Sequence, residues 1–128
     1  MKMFLIAALT LLSTAALADT TLATCKVSGS KFVSLDISLA DDQNVDFLLV
    51  NLNDKTTQTV FYSQMDKGSV ADQLKGGYLN ILALTEQTGQ VDGVITNSGF
   101  LAIGLEPDGT YSGFLAALGN IYPLTCTK

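Results

Sequence analysis

The chain contains no histidine, no arginine and no tryptophan, and only two cysteines and two prolines. Without histidine, the commonest general base and the commonest metal ligand are missing. Without arginine there is no planar guanidinium to hold a phosphate or carboxylate at two points. Pairing of the two cysteines would remove the thiol nucleophile as well, leaving only carboxylates, lysines and hydroxyls for catalysis. The expectation is a protein that is not an enzyme and takes no cofactor. No phosphate-binding glycine loop is present, and Gly76-Gly77 reads instead as the stop of a short helix.

Positive charge is scarce, and the one long apolar run is N-terminal. Residues 1–18 read MKMFLIAALTLLSTAALA, with Lys2 ahead of an apolar stretch from Phe4 to Leu12 and Ala16-Leu17-Ala18 as a cleavage signal before Asp19. That pattern is a bacterial-type secretory signal peptide, and it is broken too early by Ser13 and Thr14 to span a bilayer. Cleavage would leave a single domain over 19–128, in the periplasm or outside the cell, with no membrane span. Six lysines then face twelve Asp and Glu, a formal charge of −6 that opposes nucleic-acid binding. In an exported chain the two cysteines, Cys25 and Cys126, point to one disulfide. Leu22-Ala23-Thr24-Cys25 also resembles a lipidation signal, but Asp19, Thr20 and Thr21 separate it from the apolar run, and lipidation would leave Cys126 unpaired.

Helical periodicity is nearly absent. Val33, Leu35, Ile37 and Leu39 alternate with Ser34, Asp36 and Ser38, and strand-like runs follow at 45–52 and 57–63 with turn residues at 41–44 and 53–55. Only 70–75 departs, where Ser69 to Asp72 matches a capping pattern and Gly76 ends a helix of little more than one turn. Gly89, Gly99, Gly109 and Gly119 then fall ten residues apart, which reads as the spacing of a β-meander. Three-residue loops at 87–89, 97–99 and 107–109 would set Ile95 opposite Leu101, Gly93 opposite Ile103 and Val91 opposite Leu105. The next hairpin would set Leu105 opposite Tyr111, Ile103 opposite Gly113 and Leu101 opposite Leu115. Gly119-Asn120 as the last loop would set Leu124 opposite Leu115, Tyr122 opposite Ala117 and Cys126 opposite Gly113. The expected core on this register is Ile81, Val91, Ile95, Leu101, Ile103, Leu105 and Leu115, with Ile103 fitting between Gly93 and Gly113. The expected fold is all-β: a small antiparallel meander barrel of about eight strands with one short helix, a two-sheet sandwich being the alternative.

The second face of these strands is the candidate functional surface. Leu82 would lie beside Val94, Val94 beside Ala102, Ala102 beside Phe114, and Phe100 beside Ala116, an apolar area where a solvated face should be polar. Either 64–77 covers it, it folds into a second layer, or it receives a partner: an unknown protein, a small apolar ligand or a second copy; a membrane-facing surface and an inverted in/out assignment are the remaining alternatives. Asp92 and Glu106 share a face as a glycosidase pair would, and Asp41, Asp42, Asn44 and Asp46 offer oxygen ligands, but acids on solvent faces mostly serve solubility and the spacing is not that of an EF-hand. An exported binding module follows, with a self-assembling envelope component as the alternative. In layout, with a signal peptide, one small barrel and cysteines near both ends, the chain is similar to bacterial periplasmic lysozyme inhibitors. That similarity, which extends to no loop motif, implies inhibition of a cell-envelope hydrolase as a further alternative.

Overall fold

The computed structural model describes residues 19–87, 90–91, 94–95 and 97–128. Its elements are β1 (Asp19–Val27), β2 (Ser34–Ala40), β3 (Val45–Asn53), β4 (Gln58–Asp66), α1 (Ser69–Lys75), β5 (Tyr78–Glu86), β6 (Gln90–Val91), β7 (Val94–Ile95), β8 (Ser98–Leu105), β9 (Tyr111–Ala117) and β10 (Asn120–Thr127). Eight strands close into an antiparallel barrel in the order β1-β10-β9-β8-β5-β4-β3-β2, while β6 and β7 form a separate two-stranded ribbon. The fold is the closed meander that the turn spacing implies, and the sandwich is excluded.

Period-two patterning decides which side chains enter. Along β3, Leu48, Val50 and Leu52 are buried while Phe47, Leu49 and Asn51 face outward and stay half-exposed. Leu35 and Ile37 of β2, Phe61 of β4, Leu79 and Ile81 of β5, Leu101 and Ile103 of β8 and Leu115 of β9 complete an interior filled by aliphatic and aromatic groups. Val33 and Leu39 pack against its edge. A β-bulge between Ile81 and Leu84 switches the inward parity of β5. Leu82 and Ala83 therefore both face solvent, and Leu84 is buried.

The helix begins one residue earlier than the capping pattern implies, and its cap is not local. Gly68 occupies the N-cap position at φ 91° without a side-chain cap. The buried carboxylate of Asp46, on β3, accepts the Val70 N–H at 3.0 Å. Val70 is thereby held in the core, with Leu74 packed beside it. Gly76 and Gly77 end the helix through bonds from their N–H groups to the Asp72 and Leu74 carbonyls.

Three details of the expected register are corrected. β8 pairs with β5, not with 91–95: Ile81 lies opposite Leu101 and Leu79 opposite Ile103. Val91 instead pairs with Val94, and Ile95 with Gln90. Only Asp92 and Gly93 separate Val91 from Val94, and Asp-Gly is a preferred two-residue hairpin sequence that the ten-residue spacing obscures. Gly93 and the side chains of Val91, Val94 and Ile95 lie outside the described residues, so the expected Gly93 flank of Ile103 is replaced by Leu79. The β8–β9 register is as expected, with Leu105 opposite Tyr111, Ile103 opposite Gly113 and Leu101 opposite Leu115. The final hairpin is slipped by two residues, giving Tyr122 opposite Leu115, Leu124 opposite Gly113 and Cys126 opposite Tyr111. Its loop is Leu118-Gly119, with φ of 56° and 74°. The inward parity of β10 survives the slip, so Leu124 and Cys126 are buried as expected. Leu105 leaves the expected core list: it is 52% exposed at the barrel rim, beside Gly77, where β8 ends.

Candidate functional site

The two cysteines meet where the barrel closes. Cys25 of β1 and Cys126 of β10 are direct cross-strand partners, joined by a disulfide with both residues fully buried. The first and last strands are thus fastened by hydrogen bonds and by a covalent bond. Because the interior is packed with side chains, what the fold offers a partner is its outer surface and its rims.

Among the outward positions of β8, β9 and β10 there is no charged side chain. Phe100 lies opposite Ala116, and Ala116 opposite Ile121; Ala102 lies opposite Phe114, and Phe114 opposite Pro123. These two rows cross three adjacent strands, and the Phe100 and Phe114 rings stack with centroids 5.7 Å apart. Phe114 is 36% exposed and Ile121 is 70% exposed. Leu82 is 76% exposed at the β5 bulge. The expected neighbours Ala102–Phe114 and Phe100–Ala116 are therefore together. Leu82 and Val94 are not brought together by the expected register, because Val94 pairs with Val91. The 64–77 segment does not bury this face: its apolar residues Met65, Val70 and Leu74 join the core cluster.

Two further features extend the surface beyond the expected residues. Leu118, the only non-glycine residue at positive φ among the described residues, sits exposed at the tip of the β9–β10 hairpin. It lines a shallow recess of about 320 Å³ with Ser98, Ala116 and Ile121, and a smaller one of about 70 Å³ with Val33, Leu52 and Tyr122. On the far side of the barrel, Phe47 and Tyr62 stack at 5.5 Å beside Leu49. The signal for that second area was the run Phe47-Leu48-Leu49-Val50, apolar on both parities.

Several of the described carboxylates have structural roles. Asp42 accepts the N–H groups of Asn44 and Val45, which lowers its pKa from the ordinary 3.8. Asp108 is likewise lowered from 3.8, first by the Thr110 hydroxyl and then by the Thr110 N–H. Ser112 donates to Glu106, whose backbone N–H closes the same hairpin on the Thr110 carbonyl. Asp92 lies outside the described residues, so the Asp92–Glu106 pair is not assembled here. Lys67 donates to the Asp42 carbonyl and lies 4.0 Å from Asp46, which already caps α1. Among the described residues no group of His, Cys, Asp or Glu has the arrangement of a metal site. No helix among them is long and apolar enough to cross a membrane.

Compared with protein-family models, with curated proteins and with solved structures, the chain matches none.

Proposed function

We propose that this chain is an exported, non-catalytic binding module, acting in the periplasm or outside the cell, whose docking surface is the β8–β10 face around Phe100 and Phe114. The observation that carries the reading is the pair of uncharged apolar rows across three strands, which the other described residues do not bury. A contiguous exposed apolar area on a small protein marks an interaction site or an aggregation liability. Leu118 adds exposed apolar area at the tip of the β9–β10 hairpin. Export is supported by the Ala16-Leu17-Ala18 signal and by the disulfide, which persists in oxidising compartments. The apolar interior is the reverse of the polar lumen of an outer-membrane barrel, which supports a protein that does not span the bilayer.

Self-association is the second reading, favoured by the absence of charge from the same rows, since interfaces between identical subunits are more apolar than others. Inhibition of an envelope hydrolase rests on the similarity of layout alone. The test is retention of periplasmic proteins by the mature chain and by a Phe100→Ser, Phe114→Ser variant, alongside light scattering of each. Partners or dimers lost in a folded variant support the reading. Equal retention and equal mass for both would overturn it. Intact mass of the exported protein tests its address: a chain beginning at Asp19 with no free thiol is expected, and a lipid-sized increment would contradict it.

A further inference from the structure

One stretch of the barrel wall is made by a helix. β4 and β5 are aligned at Phe61–Glu86 and Tyr62–Thr85, and beyond them the Gln87 N–H donates to the Val60 carbonyl. In the other direction, toward α1, no further β4–β5 pair is aligned among the described residues. There α1 takes the place of strand pairing and packs against β5. Val70 enters the core at 1% exposure, and Leu74 lies half-buried against it.

The helix is held down by separable contacts. Asp46 of β3 accepts the Val70 N–H at 3.0 Å, and the side-chain oxygen of Gln73 accepts the Asn80 N–H of β5 at 2.7 Å. Its ends are fixed independently of these bonds. Before it, Lys67 donates to the Asp42 carbonyl; after it, the Gly77 carbonyl accepts the Leu105 N–H at 2.8 Å. Between each pin and the helix is a glycine at positive φ, Gly68 at 91° and Gly77 at 84°, where the backbone turns without a side chain to obstruct it. A segment pinned at both ends, hinged inside the pins and held by one fully buried side chain opens at lower cost than the sheet around it.

We propose that α1 is a hinged lid: it lifts as a unit from β5 between Gly68 and Gly77 while the eight strands stay closed, uncovering the buried Leu79 and Ile81 of the strand it packs on. Its 7 residues are too few to remain helical without that packing, so lifting also melts the helix. Asp46 and Gln73 are its two catches. Because both restrain one motion, releasing the Asn80 bond near the end of the helix is felt at Val70 in its first turn. The lid stands on its own contacts and does not rest on the Phe100–Phe114 face.

The experiment is native-state hydrogen exchange of the mature, oxidised protein, read amide by amide by NMR. The Val70 and Leu74 amides are expected to exchange through one shared opening, faster than the Leu48 and Leu115 amides that report the sheet. A Gln73→Met variant keeps the length and helix propensity of the side chain but loses its carbonyl oxygen. It should speed both helix amides by the same factor, about two- to five-fold, the scale of one lost hydrogen bond, and leave Leu48 and Leu115 unchanged. A helix that only frays would respond at Leu74 alone. Helix amides that exchange only together with the sheet, or a Gln73→Met effect that is absent or confined to Leu74, would each overturn the proposal.

Discussion

At the scale of single residues, Gly113 lies opposite Ile103 as the sequence implies, but a nearer contact decides why glycine stands there. The sequence presents it as room for Ile103 on a curved wall, but the limit is nearer. A Cβ there would lie 1.9 Å from the Ala102 carbonyl oxygen and 2.8 Å from the Ile103 Cα, so it would strike backbone that cannot rotate away. Gly113→Ala should destabilise by about 3 kcal/mol, at the upper end of ordinary overpacking. Gly104→Ala, where the nearest atom is the Gly77 carbonyl at 4.0 Å, should be neutral or slightly stabilising. Equal denaturation midpoints for the two variants would refute the close approach of β9 to β8. Leu118 makes the opposite case, because its φ of 56° favours asparagine or glycine. Leu118→Asn should raise stability by about 0.5 kcal/mol, relief of the backbone outweighing the apolar packing given up beside Tyr122. A fall in stability above about 1 kcal/mol in a thermal melt would show that its packing outweighs its strain. Cys25 and Cys126 were legible because paired cysteines in an exported chain have few other uses. Leu105 was not legible, since alternation says which way a residue points but not where the barrel ends.

At the scale of elements, eight barrel strands and one helix were visible because period-two alternation and turn residues are local signals. What failed was partner choice between strands of equal parity. The glycine spacing makes 91–95 and 100–105 look like one hairpin, yet β8 gains a longer partner in β5, with Ile81 and Leu79 opposite Leu101 and Ile103. In the last hairpin, the reluctance of leucine to take positive φ points to Gly119 as the first loop residue, whereas it is the second; the register differs by two and the faces are unchanged. The cap of α1 was illegible, since Asp46 lies 24 residues from Val70 and arrives through the β3–β4 pairing. Asp46→Ala should cost about 1 to 2 kcal/mol, the usual range for a lost cap that leaves a buried N–H unpaired. Hydrogen exchange should report it first, with faster exchange of the Val70 and Leu74 amides before any global change. Unaltered exchange in α1 would contradict the long-range cap.

For the whole molecule, closure ties the ends of the chain together. The Cys25–Cys126 bond spans 101 residues, and a loop of that length corresponds to about 4.7 kcal/mol in the chain-entropy model. A Cys25→Ala, Cys126→Ala variant should lose several kcal/mol of stability while keeping its sheet at low temperature; no loss would mean that the β1–β10 pairing alone holds the barrel shut. The barrel was legible because a meander of this length leaves two edges that closure removes. The candidate face was legible in part: Phe100, Ala102 and Phe114 are adjacent, while Leu82 belongs to a bulge and Ile121 was hidden by the slipped register. The central claim is that this face lies outside the core, which the proposed docking requires. It is tested most directly by the unfolding free energy of the Phe100→Ser, Phe114→Ser variant in denaturant. An outer face predicts a folded barrel and a loss below about 2 kcal/mol, the scale of one exposed aromatic pair with its partial burial. A loss of roughly 3 to 5 kcal/mol per site, or failure to fold, is the signature of interior phenylalanines and would contradict it.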